Sequence, residues 1–274
     1  MADPQPIITY SLRKEVGVRA LLGDIVDGAR RYDVWKAFAW EETKQRFNRS
    51  VLGLAWIAVS FLIFVLAIAL FFRGFTAEHV AHVAIGLAIY QFLVGIMQDG
   101  CTVFVQANGW IRSSRLPYSI YIFKSIARSL FPFLIHAVVI AVLLPFMGWR
   151  PSWENLLAIP IFALFLFNGI WVQYLMGILC ARWRDINHLT TAIARLLFFT
   201  TPILWRYEDT DSVRRLVADF NPFTHFVQVF RATLVEGGDS MLHWYVIIAF
   251  TICGWALTLV VASLWRRHIP LWVD

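Results

Sequence analysis

Between Val51 and Phe72 the chain runs for 22 residues without one ionisable side chain. A helix closes its backbone hydrogen bonds within itself, and about 20 residues at about 1.5 Å each cross the hydrocarbon of a bilayer. This stretch is therefore committed to a membrane helix. Five more apolar runs follow: His79–Val105, with Asp99 as its one acid; Ser129–Trp149, holding Pro132, His136 and Pro145; and Asn155–Ala181, holding Pro160, Asn168 and Gln173. The last two are Ile186–Trp205, interrupted by Arg195, and Trp244–Trp265, ending at Arg266, Arg267 and His268. The expectation is an all-α integral membrane fold with six transmembrane helices. Composition agrees, with 59% hydrophobic and 15% charged residues, against roughly a quarter charged in soluble domains. The 13 tryptophans suit a chain that anchors many helix ends at the lipid interface.

The net charge of +6 does not point to nucleic acid, because the basic residues sit in short loops beside apolar spans, where orientation accounts for them. All four lysines, Lys14, Lys36, Lys44 and Lys124, fall on the side of the N-terminus. Six arginines on the other side oppose that bias, but the lysines and the long basic flank outweigh them and place both termini in the cytosol. Residues 1–28 have scattered charges and no apolar core of a cleavable signal, so the first span itself directs insertion. Cys101, Cys180 and Cys253 are isolated within apolar runs, without metal or redox spacing. No metal site is expected.

Three segments outside the plain spans carry structure. Residues 1–50 form a cytosolic segment in which about Asp33–Asn48 reads as a helix along the membrane interface, with Val34, Trp35 and Phe38 on one face and a Glu42–Arg46 pair. Gln106–Lys124 is a short basic loop containing Pro117. Between spans five and six, Asn221 is a plausible N-cap with Pro222 at the first helical position and Gly237 and Gly238 as the stop. Phe223, Phe226, Val227, Phe230 and Leu234 recur at helical spacing opposite His225, Gln228 and Arg231. With a weaker helix at Val213–Phe220, residues 212–236 read as a re-entrant helical hairpin. The six spans make up a transmembrane domain over 51–268, and 269–274 are a cytosolic tail.

Several stretches taken in order resemble one family. They are Arg46, Phe47, Arg49, Ser50, Leu52, Gly53 and Trp56 before and into span one; Asn108 and the Pro117 loop; "RWRDI" from Arg182; "TPILW" from Thr201; and "NPFTHFVQVFR" from Asn221. Together they resemble the permease subunits of ABC exporters of capsular polysaccharide and O-antigen. The resemblance implies a homodimer in the bacterial inner membrane with two copies of a separate ATPase that binds ATP and Mg. It implies a lipid-linked polysaccharide substrate and leaves room for periplasmic or outer-membrane export partners. The chain has no G-x-x-x-x-G-K-[ST] run to cradle ATP phosphates, so neither a catalytic site nor a cofactor is expected on it. The family further implies that Arg112, Ser113, Ser114, Arg115, Leu116 and Pro117 contact the ATPase. An interface helix with Trp35, Arg46 and Arg49 would border the substrate entrance, and spans one and five would line the channel.

A conduit for a long hydrated glycan must accept many sugars without holding any tightly, and aromatic faces do this by stacking on the apolar faces of sugar rings. Trp56, Trp171, Tyr174, Phe198 and Phe199 are the candidates, each balanced by the plain role of a packing or lipid-facing aromatic. Arg195 lies nine residues past Ile186, about 13 Å into the membrane. It either attracts acidic sugars or a lipid phosphate, for which a guanidinium is well shaped, or snorkels or pairs, Asp99 being the nearest acid. His136, Asn168 and Gln173 read as interior hydrogen-bonding residues. Scattered histidines without converging acids argue against an intramembrane enzyme, and the lack of paired broken helices against a secondary transporter. The rival that stays open is an ABC exporter permease for drugs or other lipids.

Overall fold

The computed structural model describes residues 17–46, 52–72, 76–114, 116–146, 148–207, 212–236 and 241–273, and among these the chain is helical with no strand. Arg49 and Arg115, the glycine stop at Gly237 and Gly238, and the side chain of Arg46 lie outside the described residues. The elements are α1 (Val18–Arg30), α2 (Tyr32–Arg46), α3 (Ala55–Phe72), α4 (Ala77–Gln106), α5 (Asn108–Ser113) and α6 (Tyr118–Phe146). They continue with α7 (Ala158–Arg182), α8 (Asp185–Thr200), α9 (Ser212–Phe220), α10 (Pro222–Arg231), α11 (Met241–Trp265) and a final turn α12 (Ile269–Trp272).

Among the described residues, four helical stretches of 29 to 32 residues are long and apolar enough to cross a membrane: Ala77–Gln106, Tyr118–Phe146, Trp153–Arg182 and Met241–Trp272. The first and fifth expected spans are shorter. α3 has 18 residues and α8 has 16, about 27 and 24 Å of helix. α8 is cut short because "TPILW" leaves the helix: the Thr201 N–H closes on the Leu197 carbonyl at 2.9 Å, and Pro202 next to it has no N–H to donate.

α4 is the centre. Apolar around its whole circumference, it is buried along most of its length and packs against α3, α6, α7, α8 and α10, as a helix without a polar face must. Its seam with α7 is set by absent side chains. A Cβ on Gly100 would stand 3.0 Å from the Gln173 backbone, and one on Gly177 would stand 2.7 Å from the Phe104 ring. Gly53 has a backbone role rather than a packing one. It adopts φ +52 ahead of α3, with nothing within 4 Å of a Cβ placed there, so the chain needs its left-handed backbone.

α6 begins well before the expected third span. Its first turns carry Lys124, the last residue of the expected loop, and Arg128, which stands one residue before the expected span. Both cations are paired and lie along the helix, so they do not end it. The loop about 106–124 thus reduces to α5 and residues 114–117.

The segment between α8 and α11 contains the two expected helices. Asn221 caps α10 by accepting from the Phe223 N–H at 2.9 Å, and its amide donates to Thr200 and Thr201 at 3.0 and 2.8 Å. The polar side of α10, expected opposite the apolar stripe, is buried as well. Arg231 donates to the carbonyls of His82 and Pro202 at 3.1 and 3.0 Å and to the Gln228 amide oxygen at 2.7 Å. Backbone carbonyls thereby take up a guanidinium that has left water. The helix ends in a π turn, Ala232–Glu236, where Trp149 and Asn155 donate to the Leu234 and Thr233 carbonyls at 2.7 and 2.8 Å.

Candidate functional site

At the end of the bundle that carries α2 and α5, here the proximal end, α2 lies against α6. Trp35 packs on Phe123 with ring centroids 6.0 Å apart, and Phe38 packs on Trp110 of α5 at 5.2 Å. Glu42 reaches across to Lys124 and, at 3.4 Å, to Arg128, so α2 is tied to the neighbouring helix. Arg128 in turn pairs with Asp99 of α4 at 2.9 Å, and Ser129 donates to the same carboxylate at 2.7 Å. An acid inside an apolar span is expensive unless partnered. Here the partners come from α6, forming a relay from Glu42 through Arg128 to Asp99.

Along that relay the helices stand apart. Cavities of about 210, 260 and 450 Å³ follow one another, and Pro132 borders all three. Glu42, Gln45, Gln106 and Arg128 line the first; Gln91, Asp99, Ser129 and His136 the second; Ser60, Phe61 and Phe64, with Gln91 and His136, the third. His136 is buried, stacks on Phe61 at 4.2 Å, and its Nδ1 has no partner among the described residues. The result is a groove of polar side chains with aromatic walls, rising from α2 between α3, α4 and α6. Amides, hydroxyls and aromatic faces are groups that meet sugar hydroxyls and sugar rings.

The residues picked out from the sequence separate into two groups. Trp56 on α3 and Phe199 on α8 are 49% and 67% exposed, and Arg195 also faces outward. Arg195 has no hydrogen-bond or ion-pair partner among the described residues, and Asp99, its expected mate, belongs to Arg128. Phe198 turns inward, packing on Tyr90 at 5.4 Å and Phe64 at 6.4 Å. Trp171 and Tyr174 are buried in the interior of the helical bundle. The Trp171 indole donates to Asn168 at 2.8 Å and packs on Phe250, and Tyr174 is 0% exposed with its hydroxyl on Asp24 at 2.5 Å. Both rings are enclosed by the helices of this chain. From sequence they were two more span aromatics; the packing partners that hold them come from α1 and α11, far along the chain.

Of the segment from Arg112 to Pro117, Arg112 and Ser113 lie on α5. Ser114 leaves the helix, its hydroxyl bonded to the Trp110 carbonyl at 2.7 Å; Leu116 is half-buried and Pro117 buried at the start of α6. Ser113 is exposed. Four of the seven histidines meet in pairs at the distal end: His225 and His243 share a hydrogen bond between their Nδ1 atoms at 2.8 Å, and His79 stacks on His82 at 6.1 Å. Among the described residues no group of three or more potential metal ligands converges.

The sequence matches the model of the ABC-2 type transporter family over residues 33–235. An O-antigen export system permease protein RfbA of Klebsiella pneumoniae is 22% identical over 244 residues, 86% of this chain and 92% of that protein. One from Myxococcus xanthus is 20% identical over 201 residues, 71% of this chain and 77% of its own length. A second Klebsiella pneumoniae permease is 21% identical over 86% of this chain. The family match takes in α2 to α10 and so includes the relay, the groove and α5: the chain belongs to the ABC-2 type transporter family.

Proposed function

We propose that the chain is the permease subunit of an ATP-driven exporter of lipid-linked polysaccharide, of the O-antigen or capsular kind, in the bacterial inner membrane. The observation that carries the substrate class is the similarity to O-antigen export permeases along 86% of the chain. The polar, aromatic-walled groove beside α2 is compatible with it, because amides and hydroxyls can meet sugar hydroxyls and aromatic faces can meet sugar rings. In this reading two copies pair, with α3 and α8 facing the path, completing six spans per chain. The α9–α10 hairpin re-enters from the periplasmic side, and both termini are cytosolic. A separate ABC ATPase docks on α5 and the residues after it.

The proximal end is then the cytosolic entrance. Trp56, Phe199 and Arg195 are the channel residues retained, with the groove residues Gln91 and His136 added. ATP and Mg stay with the partner subunit. The test is to reconstitute the permease with its ATPase and follow hydrolysis as ligands are added. Stimulation by lipid-linked glycan is expected; stimulation by hydrophobic drugs with no response to glycan would transfer the chain to the drug and lipid exporters.

A further inference from the structure

Asp24, in the middle of α1, is 5% exposed, and nothing in the export path uses it. Its Oδ1 accepts from the Tyr118 N–H at 3.0 Å and the Arg266 guanidinium at 2.5 Å; its Oδ2 accepts from the Ser119 N–H at 2.8 Å and the Tyr174 hydroxyl at 2.5 Å. The Ser119 hydroxyl donates to the Asp24 carbonyl, and Arg266 also donates to the Ala20 carbonyl at 2.8 Å. Tyr118 and Ser119 open α6. The first N–H groups of a helix have no partner inside it, and the usual remedy is the side chain of the residue just before. Here Pro117 occupies that place, and the carboxylate comes from another helix 94 residues earlier.

Gly28, one turn further along α1, makes the approach possible, since a Cβ there would stand 2.0 Å from the Ser119 hydroxyl oxygen. One side chain therefore joins α1, the start of α6, the interior of α7 and the arginine that follows α11. Residues 114–117 are all that separate this junction from α5. A single residue, Arg31, connects α1 to α2, which is itself held to α6 through Glu42.

We infer that Asp24 is a positioning residue for energy coupling: it clamps the start of α6 to α1, α7 and Arg266, so that a displacement of α5 moves α6 and the entrance helices as one body. The inference rests on the reading of α5 as the ATPase contact. Without the clamp, the same displacement is absorbed in residues 114–117 and fails to reach α2.

The experiment uses the assembled permease–ATPase complex in proteoliposomes with lipid-linked glycan and reads ATP hydrolysed per chain exported. Asp24→Asn puts an amide where four donors converge. Hydrolysis is expected to stay within about twofold of native while export falls about tenfold, the scale of one lost charge-assisted hydrogen bond. A cysteine at Ser113 should still cross-link to the ATPase. An unchanged ratio of hydrolysis to export overturns the inference, and so does a proportional loss of both. Should Asp24→Asn fail to accumulate, Tyr174→Phe and Ser119→Ala decide, each removing one donor and expected to raise the ratio about threefold; native ratios in both overturn it. Absence of the Ser113 cross-link in the otherwise native complex instead removes the docking reading beneath it.

Discussion

Arg195 stands on the outward face of α8, about 15 Å along the helix from Asp185, with no counter-charge among the described residues. A cation held there without a protein partner must be met by water, lipid phosphate or an acidic cargo. Arg195→Ala is therefore expected to cut export about tenfold while membrane level and association with the ATPase stay native, as read by export assay and co-purification. Loss of the protein from the membrane would make the residue structural. Arg128 behaves oppositely, because it neutralises Asp99. Arg128→Ala should destabilise the purified protein, and Asp99→Asn in the same chain should recover much of the loss. A double-mutant cycle on thermal unfolding is expected to give a coupling of about 1 to 3 kcal/mol. At this scale sequence was a partial guide. Arg195 and Asp99 could each be named as charges that need justification, but a pairing between two spans is invisible without their relative rotation, and Arg128 looked like a loop cation.

Among the elements, α10 was the most legible. Asn221, Pro222 and the phenylalanine spacing mark α10 from residue type alone, since a cap and a proline at the first turn act locally. What local rules omit is that Asn221 also ties α10 to the end of α8. Asn221→Ala should lower stability by about 1 to 2 kcal/mol in thermal melts. Asn221→Asp, which keeps the cap but not the donor to Thr200 and Thr201, should fall between it and the native protein. α5 is a contrast: it lacks any cap signal, with no side-chain bond at its start, and forms because Trp110 beds on Phe38. Such a helix exists by tertiary contact and reads from sequence as a loop. Its exposed Ser113 gives a direct test of docking, since a cysteine there should cross-link to the ATPase subunit, whereas one at the distal Trp153 should not.

For the molecule as a whole, the periodicity and length of apolar runs gave the helical membrane class, and among the described residues four of the six runs reappear within helical stretches of 29 to 32 residues. The other two differ because their ends are fixed by backbone features, Gly53 in a left-handed conformation before α3 and the Thr201–Pro202 break after α8, which hydropathy does not register. Topology can be checked with a membrane-impermeant thiol reagent in whole cells of an otherwise cysteine-free permease. A cysteine at Trp153, 87% exposed, should react from outside. A cysteine at Ser113 should react only after permeabilisation.

The Gly100–Gly177 seam also limits what a transport cycle can do. Where backbone and ring interlock with no side chain between them, neither helix can slide or rotate without a collision that no rotamer change relieves. α4 and α7 are thus the chassis. α8, by contrast, buries only Thr190 and Ala194, so little contact is forfeited when it swings. In the proposed reading, widening of the path comes from such loosely bound helices, so that a pore bordered by them dilates for a thick cargo while the frame behind it keeps its shape.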